Sequence, residues 1–75
     1  MNIIKLETNF LEIDTKKAVF YVRHTKCIGF MDKYNNTSYM TDKKISRTTS
    51  EYINKWLPNA VIIPQNYINE VFEKV

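Results

Sequence analysis

Short apolar runs separated by polar residues set the frame of this chain, and their spacing predicts a small mixed domain. Residues 1–14 carry two apolar patches, Ile3-Ile4-Leu6 and Phe10-Leu11-Ile13. The second alternates with Glu12 as a half-buried strand does, so the stretch is extended as one strand or two. Polar residues 14–17 turn the chain. Residues 18–24 form the clearest strand, rich in β-branched and aromatic side chains, with Phe20 and Val22 on one face and Val19, Tyr21 and Arg23 on the other. The following His24-Thr25-Lys26 contains none of the residues that tight turns favour. A bent strand is therefore expected to continue through 27–31, with Ile28 and Phe30 on one face and Cys27 and Met31 on the other. Gly29, the only glycine, marks a bulge or a close approach to the backbone. Residues 32–36, ending in Asn35-Asn36, are the strongest turn, and 37–41 return as a strand with Tyr39 and Met40.

The period then changes. Thr48-Thr49-Ser50-Glu51 fits a capping box, with Thr48 as N-cap and Glu51 reaching back to its amide. Ile53, Trp56 and Leu57 follow at the spacing of one buried helical face, and Pro58 ends the helix. The hydroxyls of Ser46, Thr48, Thr49 and Ser50 beside Arg47 either cap this helix or cradle an anion; Glu51 would compete with that anion for the same amides. Residues 60–63 are wholly apolar and read as a short buried strand closed by Pro64. Residues 65–75 are helical by period, with Ile68, Val71, Phe72 and Val75 as the stripe, Tyr67 at its border and Pro64 at the first helical position. The expected fold is α+β: a small antiparallel sheet of three to five strands packed against two short helices, in the order β-β-β-α-β-α. Trp56, Ile53, Phe72, Ile68, Phe20, Val22, Ile28 and Phe30 are its expected core.

Seventy-five residues make a single compact domain, 1–75, with room for one small core. A homodimer is one way for so small a domain to gain stability. Ten aromatic residues supply much of the apolar area. The lone Cys27 excludes an internal disulfide and fits a reducing compartment. The first residues lack the basic start and long apolar run of a signal peptide, and no run is long enough to span a bilayer. The reading is therefore a cytoplasmic protein with no membrane partner.

The charge is uneven. Residues 15–47 hold eight basic residues against Asp32 and Asp42, a net of +6, whereas residues 48–75 hold two basic against three acidic. His24 and Cys27 are too few for a metal site, and they alternate to opposite faces of a regular strand, which disfavours a thiol-imidazole pair. Carboxylates are scattered, and glycine-rich phosphate loops are absent. No catalytic residue, metal ligand or cofactor is assigned, and the chain reads as non-enzymatic. What remains is basic residues interleaved with aromatics on strands: Tyr21, Arg23, Lys26, Lys33, Tyr39, Lys43, Lys44 and Arg47, with Tyr34 beside them. Such a face contacts phosphates with its cations while its rings stack on bases, unless it is simply a solvated sheet face.

The run from Phe20-Tyr21-Val22-Arg23-His24-Thr25-Lys26-Cys27-Ile28-Gly29-Phe30, through Ser38-Tyr39-Met40-Thr41-Asp42-Lys43-Lys44, to Ser46-Arg47-Thr48-Thr49-Ser50-Glu51-Tyr52-Ile53-Asn54-Lys55-Trp56 resembles a set of small phage and prophage proteins of unknown function. They share an aromatic strand pair followed by a Thr-Thr-Ser helix start. The resemblance implies a small accessory protein working in the cytoplasm of an infected host cell. It implies no established activity, and the residues themselves leave two functions as expectations. One is nucleic-acid binding through the basic and aromatic sheet face. The other is inhibition of a host defence or replication protein by direct contact, with Tyr21, Tyr34 and Tyr39 as candidate anchors.

Overall fold

The computed structural model describes residues 1–74. Its element order is β1 (Asn2–Glu7), β2 (Phe10–Asp14), β3 (Ala18–Arg23), β4 (Lys26–Asp32), β5 (Thr37–Thr41), α1 (Arg47–Trp56), β6 (Val61–Ile63) and α2 (Gln65–Glu73). The α+β class agrees with the sequence reading, but the sheet has six strands in the order β-β-β-β-β-α-β-α, and it is mixed. Strands β1 to β5 form an antiparallel meander in sequence order, and β6 adds to β5 in parallel. A parallel neighbour cannot be reached by a tight turn, so residues 42–60 carry α1 across one face of the sheet before β6 begins.

The two helices lie on opposite faces. Alternation along β3 sends Val19 and Tyr21 to the α1 side, where they pack with Phe10, Ile28, Ile53 and Leu57. Ala18, Phe20 and Val22 point the other way and pack with Cys27, Phe30 and Ile68, under Val71 and Phe72 of α2. The single core expected from the sequence is thus two half-cores separated by the sheet. Trp56 and Phe72 sit at their margins, half-buried. Val75, the last residue of the expected helical stripe, lies outside the described residues. Tyr67 is exposed rather than at the border of the core.

Two bulges set the registers. In β1, Lys5 faces Leu11 and Glu7 faces Phe10, which makes Leu6 an extra residue. In β4, Tyr21 faces Gly29 and Val22 faces Cys27, which makes Ile28 an extra residue. The second bulge corrects the expected face assignment. Ile28 turns to the α1 side with Met31, while Cys27 joins Phe30 on the α2 side. Burial there pushes the Cys27 thiol up to about 11, so it stays protonated at neutral pH.

Gly29 lies in this bulge, and it is required by close approach. A Cβ there would sit 2.7 Å from the Tyr39 carbonyl oxygen and 2.8 Å from Leu57 Cδ1. The first contact is with backbone, which cannot rotate away. Gly29→Ala is expected to cost about 2–3 kcal/mol by overpacking, read as a lower urea midpoint with an unchanged slope; wild-type stability would show that β5 and α1 yield freely.

The expected bent strand at residues 24–26 is instead a tight hairpin. Arg23 pairs with Lys26 across His24 and Thr25, and His24 takes a left-handed φ of 59°. That conformation costs a non-glycine residue about 1–2 kcal/mol, which the β3–β4 ladder offsets. Asparagines serve the same purpose elsewhere: Asn9, Asn36 and Asn59 all have positive φ, and Asn36 closes the turn between β4 and β5 that the sequence marks most strongly. Residues 1–14 resolve into two strands around Asn9.

Strand β6 is an edge strand, not a buried one. Val61 and Ile62 are 49 % and 65 % exposed. Pro64 stands at the N-cap of α2 rather than at its first helical position and offers no side-chain cap. Asp42 supplies one from another segment: its amide donates to the Ile63 carbonyl, and its carboxylate accepts from the Gln65 amide at 3.2 Å. Gln65, itself buried, donates to the Cys27 carbonyl at 2.7 Å and ties α2 to the start of β4. No helix among the described residues is long and apolar enough to cross a membrane.

Candidate nucleic-acid interface

The pairing directions gather the basic residues at one end of the sheet. Arg23 closes β3, Lys26 opens β4, and Thr41 closes β5 beside them because β5 runs antiparallel to β4. The loop that leaves β5 carries Lys43 and Lys44, then Ile45, and delivers Ser46 to the start of α1. A cleft of about 330 Å³ lies there, lined by residues of the 24–25 hairpin, Arg23, Lys26, Ile28, Ile45, Ser46 and Thr49. Both helices begin at this end. The Asp42 carboxylate occupies the first amide of α2, whereas the start of α1 opens beside the cleft.

The cap of α1 differs from the expected capping box. Ser46, not Thr48, is the N-cap; its hydroxyl accepts from the Thr49 amide at 3.1 Å and lies 2.8 Å from the Thr49 hydroxyl. Glu51 falls beyond the first turn and pairs with Arg47 at 3.6 Å instead of returning to Thr48. The shift follows from burial. Thr49 is buried against the sheet, where its hydroxyl accepts from Arg23 Nε at 3.1 Å, and this anchors the first turn two residues earlier than the local pattern suggests.

The structure distributes the eight residues singled out from the sequence over several environments. Lys26 is exposed and lines the cleft; Lys43, Lys44 and Arg47 are exposed on the loop and the first helical residue that follow β5 at the same end of the sheet, outside the cleft's lining. Among the described residues, Lys26, Lys43 and Lys44 have no acidic partner within ion-pair distance, and the Arg47 pair is open to solvent. Arg23, half-buried, lines the cleft beside Lys26 and is committed to structure. It donates to the Thr8 carbonyl and to Thr49, and its guanidinium sits 5.2 Å from the centre of the Tyr52 ring.

Lys33 is at the opposite end of the sheet, paired with Asp14. The tyrosines do not form a stacking platform. Tyr21 is buried under α1 and donates to Glu12 Oε1 at 3.1 Å; Tyr39 packs against Phe30 on the α2 side with ring centres 5.0 Å apart. A basic and aromatic sheet face is therefore not assembled, because each face carries a helix and the cations collect at the strand ends.

Sequence reasoning missed a second basic group. Lys16 and Lys17 meet Lys33, Asp32 and the 98 % exposed Tyr34 around a groove of about 630 Å³ floored by Ala18, Phe30 and Val71. The signal was the polar turn at 14–17, but only the antiparallel pairing of β3 with β4 places it next to the 33–36 turn, where the Lys33 amide donates to the Lys17 carbonyl. No cluster of three metal-ligating side chains occurs among the described residues.

The buried Tyr21 gives a pH prediction. Burial first, and then the neighbouring Glu12 carboxylate, hold its phenol well above the ordinary tyrosine value. Below about pH 10 the phenol is protonated in both folded and unfolded chains, and its contribution to stability is intact. Above that pH the unfolded chain releases this proton and the folded chain retains it, so stability falls. Tyr21→Phe is expected to flatten the alkaline arm of the stability profile, measured as the urea midpoint from neutral pH to pH 11; identical arms in the two proteins would show that Tyr21 is not the group responsible.

Compared with known protein families, with curated proteins and with solved structures, the chain matches none.

Proposed function

We propose that this chain is a small, non-enzymatic, phage-type accessory protein that binds nucleic acid through the cleft end of its sheet. Lys26, Lys43, Lys44 and Arg47 would contact backbone phosphates. The observation that carries this reading is the group of exposed cations at one end of the sheet, three of them without an acidic partner among the described residues, beside the start of α1. The burial of Tyr21 and the packing of Tyr39 alter the expected chemistry. Recognition would rest on charge and backbone geometry rather than on bases stacked on rings, so it would be tolerant of sequence and steep in salt.

Fluorescence anisotropy with labelled single- and double-stranded DNA and RNA, at low and at physiological salt, tests it. Binding that weakens steeply with salt and varies little with sequence is the expected result. No binding at low salt would overturn the proposal and leave direct contact with a host protein as the alternative.

A further inference from the structure

The two edges of the sheet are protected differently. Strand β6 is three residues long, follows Pro58-Asn59 and is stopped by Pro64. Shortness and flanking prolines are the ordinary means by which a sheet edge avoids pairing with other chains. Strand β1 spans six residues, and its ladder with β2 uses only one of its sides. Its first three residues, Asn2, Ile3 and Ile4, carry no charge. Ile3 and Ile4 are 62 % and 47 % exposed, and they project to opposite faces, since Ile3 faces Ile13 and Ile4 faces Glu12 across β2. The outer side of β1 thus offers unpaired amides and carbonyls flanked by isoleucine on both faces.

We propose that β1 pairs antiparallel with β1 of a second copy, joining two sheets into one of twelve strands. The strand is self-complementary in the register centred on Ile4. A two-fold axis normal to the sheet keeps each residue on its own face, so only residues of the same parity can lie opposite one another. Centred on Lys5, the pairing would set two like charges directly opposite, which is destabilising. Centred on Ile4, it pairs the whole of 2–6: Ile4 meets Ile4 of the second copy, Asn2 meets Leu6, and the aliphatic stem of Lys5 covers Ile3 while its ammonium stays in water. The bulge at Leu6, the last residue of this segment, bends the strand and ends the pairing there. A second copy is favoured over an unrelated peptide because this one segment supplies both halves of the match.

Sedimentation equilibrium on the full chain, with a cysteine scan of both edges, tests the proposal. Directly opposed antiparallel residues have Cα atoms about 4.5–5.5 Å apart, within disulfide range. Ile4→Cys is therefore expected to form a disulfide-linked dimer under a glutathione redox buffer, whereas Ile62→Cys on the other edge and the wild type, whose Cys27 is buried, form no disulfide-linked species. The wild type should sediment as a dimer. Ile4→Lys should sediment as a monomer with an unchanged far-UV spectrum, since that side chain is half-exposed and its loss does not empty the core. A wild-type protein that stays monomeric at millimolar concentration would overturn the proposal. So would a dimer that is cross-linked through position 62 and not through position 4. None of these outcomes depends on nucleic acid.

Discussion

Phe20→Ala is expected to remove most of the stability of this domain. Phe20 is among the largest side chains that are almost wholly buried, in the half-core beneath α2. Its ring centre is 5.8 Å from that of Phe30 and 5.0 Å from that of Phe72, the latter edge-on. Truncation removes the ring's own burial and leaves a cavity that its neighbours cannot fill, because Phe30 is held by the β4 ladder and Phe72 by α2. Substitutions of this kind cost about 3–5 kcal/mol, against total stabilities of about 5–15 kcal/mol for natural domains and the lower end for small ones. The variant is expected to populate the unfolded state at 37 °C, seen as a loss of near-UV signal and a broad, early thermal transition. Ile62→Ala on the exposed edge should change stability by no more than about 0.5 kcal/mol. Equal effects from the two substitutions would contradict the assignment of the core.

Replacing Lys43, Lys44 and Arg47 together with glutamine is expected to weaken nucleic-acid binding on the order of a thousandfold at moderate salt. A hydrogen bond to a charged group is worth about 1.5 kcal/mol at the low end, roughly tenfold in affinity per contact. The sharper readout is the salt dependence. Each phosphate contact contributes about 0.9 to the slope of log K against log salt on duplex DNA, so three lost contacts should reduce the slope by nearly 3. The loss should be uniform across sequences. Lys33→Gln, at the opposite end and already paired with Asp14, should leave both affinity and slope nearly unchanged. Equal losses from Lys33 and from the cleft-end residues would point to diffuse attraction by net charge rather than to a site. Because Lys43, Lys44 and Arg47 are exposed and make few contacts, the triple variant should fold normally, which separates loss of binding from loss of structure.

Some parts of this molecule could be read directly and others could not. The alternation along β3 was legible because it depends only on the two-residue period of a strand. The apolar spacing of Ile53 and Leu57 was legible because it depends only on the helical period. The cap of α1 was misplaced by two residues because several hydroxyls in succession satisfy the local rule equally well. The choice among them came from Arg23, distant in sequence, bonding to Thr49. The 24–25 hairpin was hidden because its turn uses His24 at positive φ, a conformation that the strand pairing enforces rather than the residue prefers. The candidate site was half legible. The cations of residues 15–47 were evident, but their division between the two ends of the sheet, and the removal of Tyr21 and Tyr39 into the half-cores, were not.

The sequence by itself determined the element types, the turn within 32–36, the end of α1 before Pro58 and the excess of positive charge. Each follows from interactions among residues a few positions apart. Tertiary structure alone decided three things: that the helices take opposite faces, that the Ile28 bulge exchanges the faces of Cys27 and Ile28, and that Lys26, Lys43, Lys44 and Arg47 share one end. The physical reason is common to all three. A strand has two chemically similar faces and two ends, and only pairing and packing with distant segments, such as Gly29 against Tyr39 and Leu57 or Gln65 against Cys27, breaks that symmetry.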